Sequence, residues 1–454
     1  MSANMNLDKE IAAHRSNELT QRGAKSQADA VNLAKTSANT ASSRQFVTPL
    51  DRWIARKMMD LVGNPPVVIR LWDNKQAFAR VENPVATITY RNRKALIKTA
   101  IDPDLYWGDL YSSGELEFEG DLVRFLETIV YNLNSAEPSN LFRRFIWGIG
   151  HRPSINSHTK SQENIYHHYD IGNDFYKLWL DRDHMQYTCA YFPDPAISLE
   201  QAQAAKLHHV CRKLQLKPGD QVVEAGCGWG GLARFMAKHY GVRVKAYNIS
   251  KEQVEFARQR AATENLSSRV EYVLDDYRNI DGKYDVFVSV GMLEHVGLGN
   301  YQELGRVIQR CMKPEGRGLI HSVGRNRPMK MNAWLERRIF PGAHPPSISE
   351  IMRIFESNDL SVLDIENLRL HYAKTLDCWL ERFEAQRPEI EASMGEGFIR
   401  AWRLYLAGTA SSFRIGDLQL FQVVFANSRN NAIPSSRAHQ YAAKAAAKSE
   451  LANV

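Results

Sequence analysis

The sequence predicts an α/β protein with a doubly wound, mostly parallel sheet, preceded by a smaller α+β domain. From Lys217 onward, apolar runs alternate with stretches of helical periodicity, which is typical of parallel strands joined by helices. The runs are nearly continuous, as expected of strands buried on both faces. Polar residues follow the end of each run, and in a parallel sheet those ends meet at one edge. At 454 residues the chain is also too long for one ordinary core.

The alternating region contains predicted strands and helices in turn. The strands are expected at 221–225, 242–247, 270–274, 284–290 and 317–323. The helices are expected at 230–240, 251–264, 300–311 and 348–357. Ser250 and Gln253 have the spacing of a capping box at the start of the second helix. The closing apolar run, 418–425, predicts a strand at an edge of the sheet.

Composition divides the chain into five regions. Residues 1–45 are polar, with no aromatic residue before Phe46, and are predicted to be disordered. Residues 46–135 mix short alternating segments with one amphipathic helix capped by Asp121, which indicates a small α+β domain. The remaining regions are a linker at 136–165, the main domain at 166–430 and a loose, Ala/Lys-rich tail at 431–454.

Charge and cysteine usage restrict the environment and the partners. The five cysteines are scattered without CxxC pairs, so neither a disulfide framework nor a metal site is predicted. There is no 18-residue apolar run and no apolar signal core at the N-terminus, so we expect a cytoplasmic protein. The net charge of +7 indicates an anionic partner, either nucleic acid or a phospholipid surface.

The first strand of the main domain runs into the turn Glu224-Ala-Gly226-Cys-Gly228-Trp-Gly230-Gly231. A glycine-rich strand-to-helix turn lets a ligand approach bare backbone and helix amides. A dinucleotide site would need an acid about 20 residues downstream, where Tyr247 and Asn248 stand instead. An acid before the first glycine resembles the first motif of S-adenosylmethionine-dependent methyltransferases. The alternative is a tight packing turn without a ligand.

Polar sets also follow the other strands. They are Asn248-Ile249-Ser250, Asp275-Asp276-Tyr277-Arg278, Gly291-Met-Leu-Glu294-His295-Val-Gly297 and His321-Ser322-Val323-Gly324. One such set is typical of a cap or loop, but sets after all five strands favour a ligand site. Upstream, 167–176 and 185–192 are rich in aromatic, amide and small residues. This composition suits a flap over a cofactor, although an ordinary packed helical layer is the alternative.

Six separated motifs occur in a fixed order: HYDIGNDFYKLWLD…MQYTCAYF, EAGCGWGGLA, VSVGMLEHVG, LIHSVG, HYAKTLDCWLERF and FRIGDLQLFQVVF. Together they resemble the cyclopropane fatty acid synthase family, which includes the mycolic acid cyclopropane synthases. The resemblance covers about residues 160–428. Residues 50–150 resemble the smaller N-terminal domain of that family more loosely. It implies a seven-stranded class I methyltransferase sheet.

The resemblance also implies a reaction: transfer of a methylene group from S-adenosylmethionine to a cis double bond in a phospholipid acyl chain. The methylated chain would be a carbocation, and loss of a proton from the new methyl group would close a cyclopropane ring. In this family a bound bicarbonate ion is the base. The residues that match its binding positions are Glu294, His321 and Tyr372, with backbone groups of Cys189 and Val323. Relatives usually have Ile at the last position.

The resemblance also implies a set of residues that contact S-adenosylmethionine, to which we add further residues of the glycine turn. They are Tyr169, Glu224, Gly226, Gly228, Gly230, Asn248, Ile249, Gln253, Asp276 and Tyr277. Asn248 stands where relatives often have Thr. Cys189 is interpreted as a structural residue, because the implied mechanism needs no thiolate.

Two segments are candidates for membrane contact. In 141–149, six large apolar side chains surround two arginines, which fits an interfacial helix or a domain-docking helix. The insertion 325–344 mixes cations with apolar residues and is interpreted as a lid with some membrane contact. The expected partner is an unsaturated phospholipid, with peripheral attachment to the inner face of the membrane and no nucleic acid. Relatives suggest a homodimer.

Other functions remain open at this stage. The same cation could yield a methyl-branched or methylene fatty acid, depending on which proton leaves. Some small-molecule N-methyltransferases share much of this core. The basic charge also suggests a nucleic-acid methyltransferase, but the sequence contains neither an Asp/Asn-Pro-Pro-Tyr/Phe turn nor a Pro-Cys nucleophile. A non-catalytic lipid carrier is the last alternative.

Overall fold

The computed structural model describes residues 46–79, 81–135 and 171–441. The predicted tail 1–45, the segment 141–149 and Tyr169 lie outside the described residues, as do most of the predicted linker and the end of the C-terminal tail.

The N-terminal unit, which comprises the described residues up to Ser135, is a four-stranded sheet with four helices. Its elements are α1 (Pro49–Leu61), β1 (Val67–Arg70), β2 (Gln76–Ala79), β3 (Ala86–Tyr90), α2 (Arg93–Ile101), α3 (Pro103–Ser113), β4 (Leu116–Gly120) and α4 (Leu122–Ser135). The strand order is β2-β1-β3-β4, with β1 and β3 parallel. Asp121 caps α4, because its Oδ1 accepts a hydrogen bond of 3.0 Å from the Arg124 amide. That cap was predicted, whereas α1, α2, α3 and β2 were not.

The first half of the main domain alternates strands and helices. Its elements are α5 (Asn173–Lys177), α6 (Leu199–Lys213), β5 (Gln221–Ala225), α7 (Gly231–Tyr240), β6 (Arg243–Asn248), α8 (Lys251–Thr263), β7 (Val270–Leu274), β8 (Tyr284–Val290), α9 (Leu293–Val296) and α10 (Tyr301–Cys311). Each strand and helix predicted in this part is present within a residue or so of its expected bounds.

The second half completes the sheet and adds a helical layer. Its elements are β9 (Met312–Gly324), α11 (Ala333–Arg338), α12 (Ile348–Ile351), α13 (Arg353–Glu356), β10 (Leu360–Asn367), α14 (Arg369–Ala385), α15 (Arg387–Met394), α16 (Glu396–Arg414), β11 (Gln419–Asn427) and α17 (Ala438–Tyr441). The predicted helix at 348–357 is two short helices, and β10 was not predicted.

The main sheet has seven strands in the order β10-β11-β9-β8-β5-β6-β7. All neighbouring pairs from β9 to β7 are parallel, and β11 runs antiparallel to both β9 and β10. Separate apolar clusters cover its two faces, with Val222 and Val244 on one and Val223 and Phe287 on the other. The predicted doubly wound, mostly parallel sheet is therefore confirmed.

The prediction of an edge strand at 418–425 is wrong. β11 lies between β10 and β9, and eight of its nine residues are buried. The continuous apolar run reflects burial on both faces, which an edge position does not require. β10 takes the edge instead, and most of its side chains are only partly buried.

The capping box predicted for α8 is only half formed. The Ser250 hydroxyl accepts a hydrogen bond of 3.4 Å from the Gln253 amide. The Gln253 side chain does not return this bond. Its Oε1 accepts from Asn248 Nδ2 at 2.8 Å, which directs the Gln253 amide group toward the end of β6.

Helix α16 joins the N-terminal unit to the main domain. Arg400 Nη2 donates to the Leu116 carbonyl at 2.8 Å, and Ser411 Oγ donates to the Val123 carbonyl at 3.0 Å. One apolar cluster runs from Ala55 in α1 to Phe413 in α16. The domain boundaries predicted from composition stay predictions.

Within the described ranges, no helix has both the length and the apolar character needed to cross a membrane.

Candidate active site

A first cavity, called here the turn cavity, opens at the carboxyl ends of β5 and β6 and has a volume of about 110 Å³. The glycine turn forms one wall. The lining residues predicted as cofactor contacts are Glu224, Gly226, Gly228, Asn248 and Gln253. The cavity thus lies where an open α/β sheet binds its ligands.

Different structural features require glycine at different positions of the turn. Gly226 and Gly228 have φ angles of +79° and +50°, which L residues with a side chain rarely adopt. A Cβ on Gly226 would lie 2.8 Å from Met292, whereas a Cβ on Gly228 would meet no atom within 4 Å. Gly228 therefore borders open space at the cavity, as a glycine against a bound ligand should.

Gly230 packs against protein. A Cβ there would lie 2.5 Å from the Tyr272 ring, and the Tyr272 hydroxyl donates to the Gly230 carbonyl at 2.8 Å. Gly230, Ile249, Asp276 and Tyr277 lie outside the cavity wall as the described residues form it. Their cofactor roles stay predictions.

Asn248 ties the turn to α8. Its Nδ2 donates to the Gly228 carbonyl at 3.1 Å and to Gln253 Oε1 at 2.8 Å, while its Oδ1 accepts from the Ser250 amide at 3.1 Å. These bonds explain why an amide can occupy this position. Asn248 and Gln253 together form a hydrogen-bonded polar wall beside the turn.

Glu224 supplies a buried carboxyl group to the turn cavity. It is 2% exposed, and its Oε2 has no hydrogen-bond partner among the described residues. Burial raises its pKa to about 8, against the opposing effect of the Lys206 and Arg234 cations. An unpartnered carboxyl oxygen in a cavity is available to a donor on a bound ligand.

The described part of the predicted flap does border this cavity. Trp229 Nε1 donates to Asn173 Oδ1 at 2.7 Å, and the Trp229 and Tyr176 rings lie 4.9 Å apart. The second half of the flap contributes the lining residues Met185, Gln186, Tyr187 and Thr188. Residues 167–170 lie outside the described residues.

A second cavity of about 110 Å³ contains the side chains predicted to be catalytic. Glu294, His321 and Tyr372 all line it, together with Val323. The rest of the wall is mainly apolar and aromatic. It consists of Tyr187, Thr188, Gly291, His295, Met331, Leu335, Phe340, Ala343, Pro345, Tyr405, Thr409, Phe413, Leu418 and Leu420.

Glu294 is the second residue of α9, which follows β8 after Gly291 and Met292. Its Oε1 accepts a hydrogen bond of 2.5 Å from the Val323 amide, and its Oε2 makes none with any described residue. Burial raises the pKa of Glu294 to about 7. The group therefore changes protonation near neutral pH, which suits a residue that exchanges protons.

His321 lies on β9 and is 1% exposed. Its Nδ1 is 3.1 Å from Gln422 Nε2 on β11, while Nε2 has no partner within the described part of the chain. If Gln422 donates this bond, Nδ1 is the acceptor and the ring proton is on Nε2. Burial lowers the pKa of His321 well below its usual value, so the ring is neutral.

Tyr372 is on α14, where its ring packs 4.6 Å from that of Phe413. Cys189 lies nearby but faces the core: its thiol donates to the Ala190 carbonyl at 3.1 Å. Burial raises the pKa of this thiol well above its usual value, which agrees with the structural interpretation. Cys189 is absent from the lining of both cavities as the described residues form it.

The insertion 325–344 covers the second cavity. Met331, Leu335 and Phe340 line it, which fits the predicted lid. Arg325, in contrast, is buried and bonded to Asp417 at 3.1 Å, so it does not face the surface.

Four residues line both cavities: Tyr187, Thr188, Gly291 and His295. They form the boundary between the two spaces. Burial lowers the pKa of His295 to about 4, so this boundary carries a neutral imidazole at pH 7.

The sequence predictions missed the contribution of α16 to the second cavity. Tyr405, Thr409 and Phe413 come from one face of this helix, and the Tyr405 hydroxyl lies 2.9 Å from that of Tyr187. Their spacing of four residues is the only local signal that could have indicated a shared face.

This chain is similar to known proteins whose descriptions agree with one another. A family model described as mycolic acid cyclopropane synthetase matches residues 156–423. A probable fatty acid methyltransferase of Pseudomonas putida is 38% identical over 373 residues, covering 79% of this chain and 91% of the relative. The cyclopropane-fatty-acyl-phospholipid synthase of Escherichia coli K12 is 43% identical over 271 residues, covering 60% and 69%.

Solved structures agree with this. A crystal structure of the mycolic acid cyclopropane synthase CmaA1, complexed with SAH and CTAB, is 29% identical with a TM-score of 0.56. The similarity covers 60% of this chain and 99% of that one.

Proposed function

Because this chain belongs to the mycolic acid cyclopropane synthetase family and is an S-adenosylmethionine-dependent methyltransferase, we propose that it converts cis double bonds of phospholipid acyl chains into cyclopropane rings. The observation that carries the proposal is a pair of buried polar atoms without hydrogen-bond partners among the described residues. Glu294 Oε2 and His321 Nε2 belong to side chains that line one cavity, together with Tyr372.

The turn cavity suits the methyl donor. S-adenosylmethionine bound there would supply an activated methyl group. Gly228 leaves room for close approach, and Asn248 and Gln253 offer fixed polar groups. The free carboxyl oxygen of Glu224 can accept a hydrogen bond from an ammonium group, which pairs a buried acid with a cation.

The second cavity suits an acyl chain and a small oxyanion. Apolar walls such as Leu335, Phe340 and Leu418 exclude water from a reactive cation. A bicarbonate ion bound beside Glu294, His321 and Tyr372 would supply the base. The imidazole and phenol can donate hydrogen bonds to an anion, and Glu294, with a pKa of about 7, can share a proton with it.

A phospholipid would bring its head group to the rim of this cavity. The insertion directs Met331, Leu335 and Phe340 inward, while Arg327, Lys330 and Arg337 are exposed. Exposed cations beside an apolar entrance favour an anionic lipid surface and peripheral attachment to a membrane.

The test is a reaction of the purified protein with methyl-labelled S-adenosylmethionine and vesicles of a cis-unsaturated phospholipid. We expect labelled acyl chains that are heavier by one CH₂ group, carry high-field ring protons in NMR spectra and lack the double bond. Vesicles of fully saturated phospholipid are the control and should remain unlabelled. Failure to label unsaturated chains under these conditions refutes the proposed substrate.

One observation supports a second candidate, in which the cation loses a different proton and the chain keeps a double bond at a methylene or methyl branch. One relative, which covers 79% of this chain, is named a probable fatty acid methyltransferase. A methylene branch has the same mass as a ring, so mass alone does not distinguish them. A labelled product with alkene protons and no high-field ring signal would select this candidate.

A further inference from the structure

The boundary between the two cavities is held from behind by helix α6. Thr188, one of the four residues that line both cavities, lies directly against Gly291: a Cβ on Gly291 would be 2.8 Å from Thr188 Cγ2. A methyl group that passes from a donor in one cavity to an acyl chain in the other crosses this boundary. Its exact position therefore sets the separation of the two reactants.

Two buried side chains of α6 fix Thr188. Gln203 Nε2 donates to the Thr188 carbonyl at 2.9 Å, and Lys206 Nζ donates to the Thr188 hydroxyl at 3.0 Å. Lys206 Nζ also donates to Oε1 of Gln186, which lines the turn cavity. Gln203 and Lys206 are 0% and 1% exposed, so water does not compete for these bonds.

The loop that carries Thr188 needs such anchors. Met185 has a φ angle of +51°, a left-handed conformation that is unfavourable for a residue with a side chain. The Asp181 carboxylate accepts hydrogen bonds from the amides of His184 at 2.8 Å and Gln186 at 2.6 Å. Asp181 holds the start of the loop, and Lys206 holds its end.

Acidic groups near Lys206 offset only part of the effect of burial on its pKa. Burial lowers its pKa to about 8, while the acidic groups of Asp181 and Glu224 act in the opposite direction. A buried lysine is costly, and among the described residues both hydrogen-bond acceptors of Lys206 belong to the cavity walls. Neither contact belongs to the glycine turn or to the group around Glu294.

We propose that Lys206 is a positioning residue for methyl transfer, which fixes Gln186 and Thr188 so that the donor and the acyl chain meet at the right separation. This inference rests on the proposed function only in taking the turn cavity as the donor site and the second cavity as the acceptor site.

The test replaces Lys206 with methionine, which keeps an unbranched side chain and removes the ammonium group. We expect kcat to fall by roughly 10- to 100-fold, the scale of a misplaced reactant. Affinity for SAH, measured by calorimetry, should fall by a smaller factor, because Gln186 and Glu224 of the turn cavity also lose the nearby ammonium group. Lys213→Met is the matched control, because Lys213 is also buried on α6 but pairs with Glu366 at 2.6 Å and lines neither cavity as the described residues form them. This control should lose thermal stability and keep kcat.

A second variant separates positioning from folding. Thr188→Val removes the hydroxyl that Lys206 contacts and keeps the branched side chain, so it should lower kcat by a similar factor. The double variant should have the same kcat as the slower of the two single variants, because both substitutions remove the same hydrogen bond between Lys206 and Thr188. Wild-type kcat in either single variant, or losses that multiply in the double variant, would overturn the proposal. If Lys206→Met does not fold, Thr188→Val alone decides.

The proposed function can fail separately. A wild-type protein that does not bind SAH would refute the donor site, whatever the variants do. A protein that binds SAH and turns over, with Lys206→Met at wild-type kcat, refutes only the role of Lys206.

Discussion

The Val323 amide donates a hydrogen bond of 2.5 Å to Glu294 Oε1 and thereby links the end of β9 to the start of α9. This bond occupies one carboxyl oxygen and leaves the other without a partner among the described residues. The carboxyl group is therefore fixed in orientation and still able to bind a ligand. The cavity that it lines also contains the His321 and Tyr372 side chains.

Glu294→Gln should keep the hydrogen bond from the Val323 amide, because the amide oxygen of Gln can accept it. The Gln side chain cannot, however, take up a proton. We expect turnover to fall by roughly 10²-fold or more, the scale of losing a positioned acid–base group. SAH affinity, measured by calorimetry, should be unchanged because Glu294 lies outside the turn cavity wall. Loss of SAH affinity with little effect on turnover would instead assign Glu294 to the donor site.

The pH dependence of kcat should follow Glu294. Its pKa is about 7, so the carboxylate form is depleted below that value and kcat should fall as the pH drops through about 7. His321 does not titrate in this range, because burial holds its pKa well below the usual value. A pH profile of wild type and Glu294→Gln checks this: the acidic limb should be absent from the variant. An identical limb in both proteins would point to another group.

The same titration should affect stability. A carboxyl group with a raised pKa in the folded protein binds protons more tightly than in the unfolded chain, so the folded state loses stability as the pH rises from about 4.5 to 7. Glu294→Gln has no such loss. We therefore compare the unfolding free energy of Glu294→Gln with that of wild type at each pH. From pH 5 to pH 8 this difference should shift in favour of the variant by up to roughly 3 kcal/mol. Urea denaturation at the two pH values measures this, and a difference that does not change with pH would contradict it.

Gln422→Leu should release the His321 ring from its bond at Nδ1. The proton could then move to Nδ1, and Nε2 would no longer donate into the second cavity, so we expect turnover to fall by about tenfold or more. Gln419→Leu is the matched control, since Gln419 is also buried on β11 but bonds to the Gly416 carbonyl at 2.7 Å. Equal turnover in the two variants would rule out a role for Gln422 in holding the ring.

Gly228→Ala should fold but bind SAH more weakly, by about tenfold or more, because its methyl group would enter the turn cavity. Gly219→Ala provides the control. Gly219 also has a positive φ and open space around it, but it precedes β5 and lies outside the wall of the turn cavity formed by the described residues. Calorimetry should show normal affinity for Gly219→Ala. Equal losses in both variants would attribute the effect to backbone strain alone.

The strands from β5 to β8 could be predicted because their signals are local. β5 and β8 are short apolar runs buried on both faces, whereas β7 alternates buried and exposed residues; polar residues or glycine follow each strand. The strand ends also predicted which residues meet at one edge of the sheet. Gly226, Gly228 and Asn248 do line one cavity there. The family resemblance brought Glu294, His321 and Tyr372 together, which strand ends alone would not have done, because Tyr372 lies on a helix.

The position of β11 could not be predicted from its own residues. Strand order depends on which strands pair, and β11 pairs with β10, whose half-exposed residues give a weaker pattern than a buried strand. Helix α16 was missed for a different reason. Ile399, Trp402 and Leu406 are buried on it at helical spacing, so its signal is local, but Gly397 and Gly408 inside the segment weaken a helix prediction.

Helix α16 has one further consequence. On one side Tyr405, Thr409 and Phe413 shape the second cavity, and on the other Gly408 leaves room for Leu126 of the N-terminal unit, 3.8 Å from where a Cβ would be. Bulkier residues in α4 would push this helix toward the cavity and narrow it. The width of the second cavity therefore depends on residues of the N-terminal unit, which lie outside the cavity wall that the described residues form.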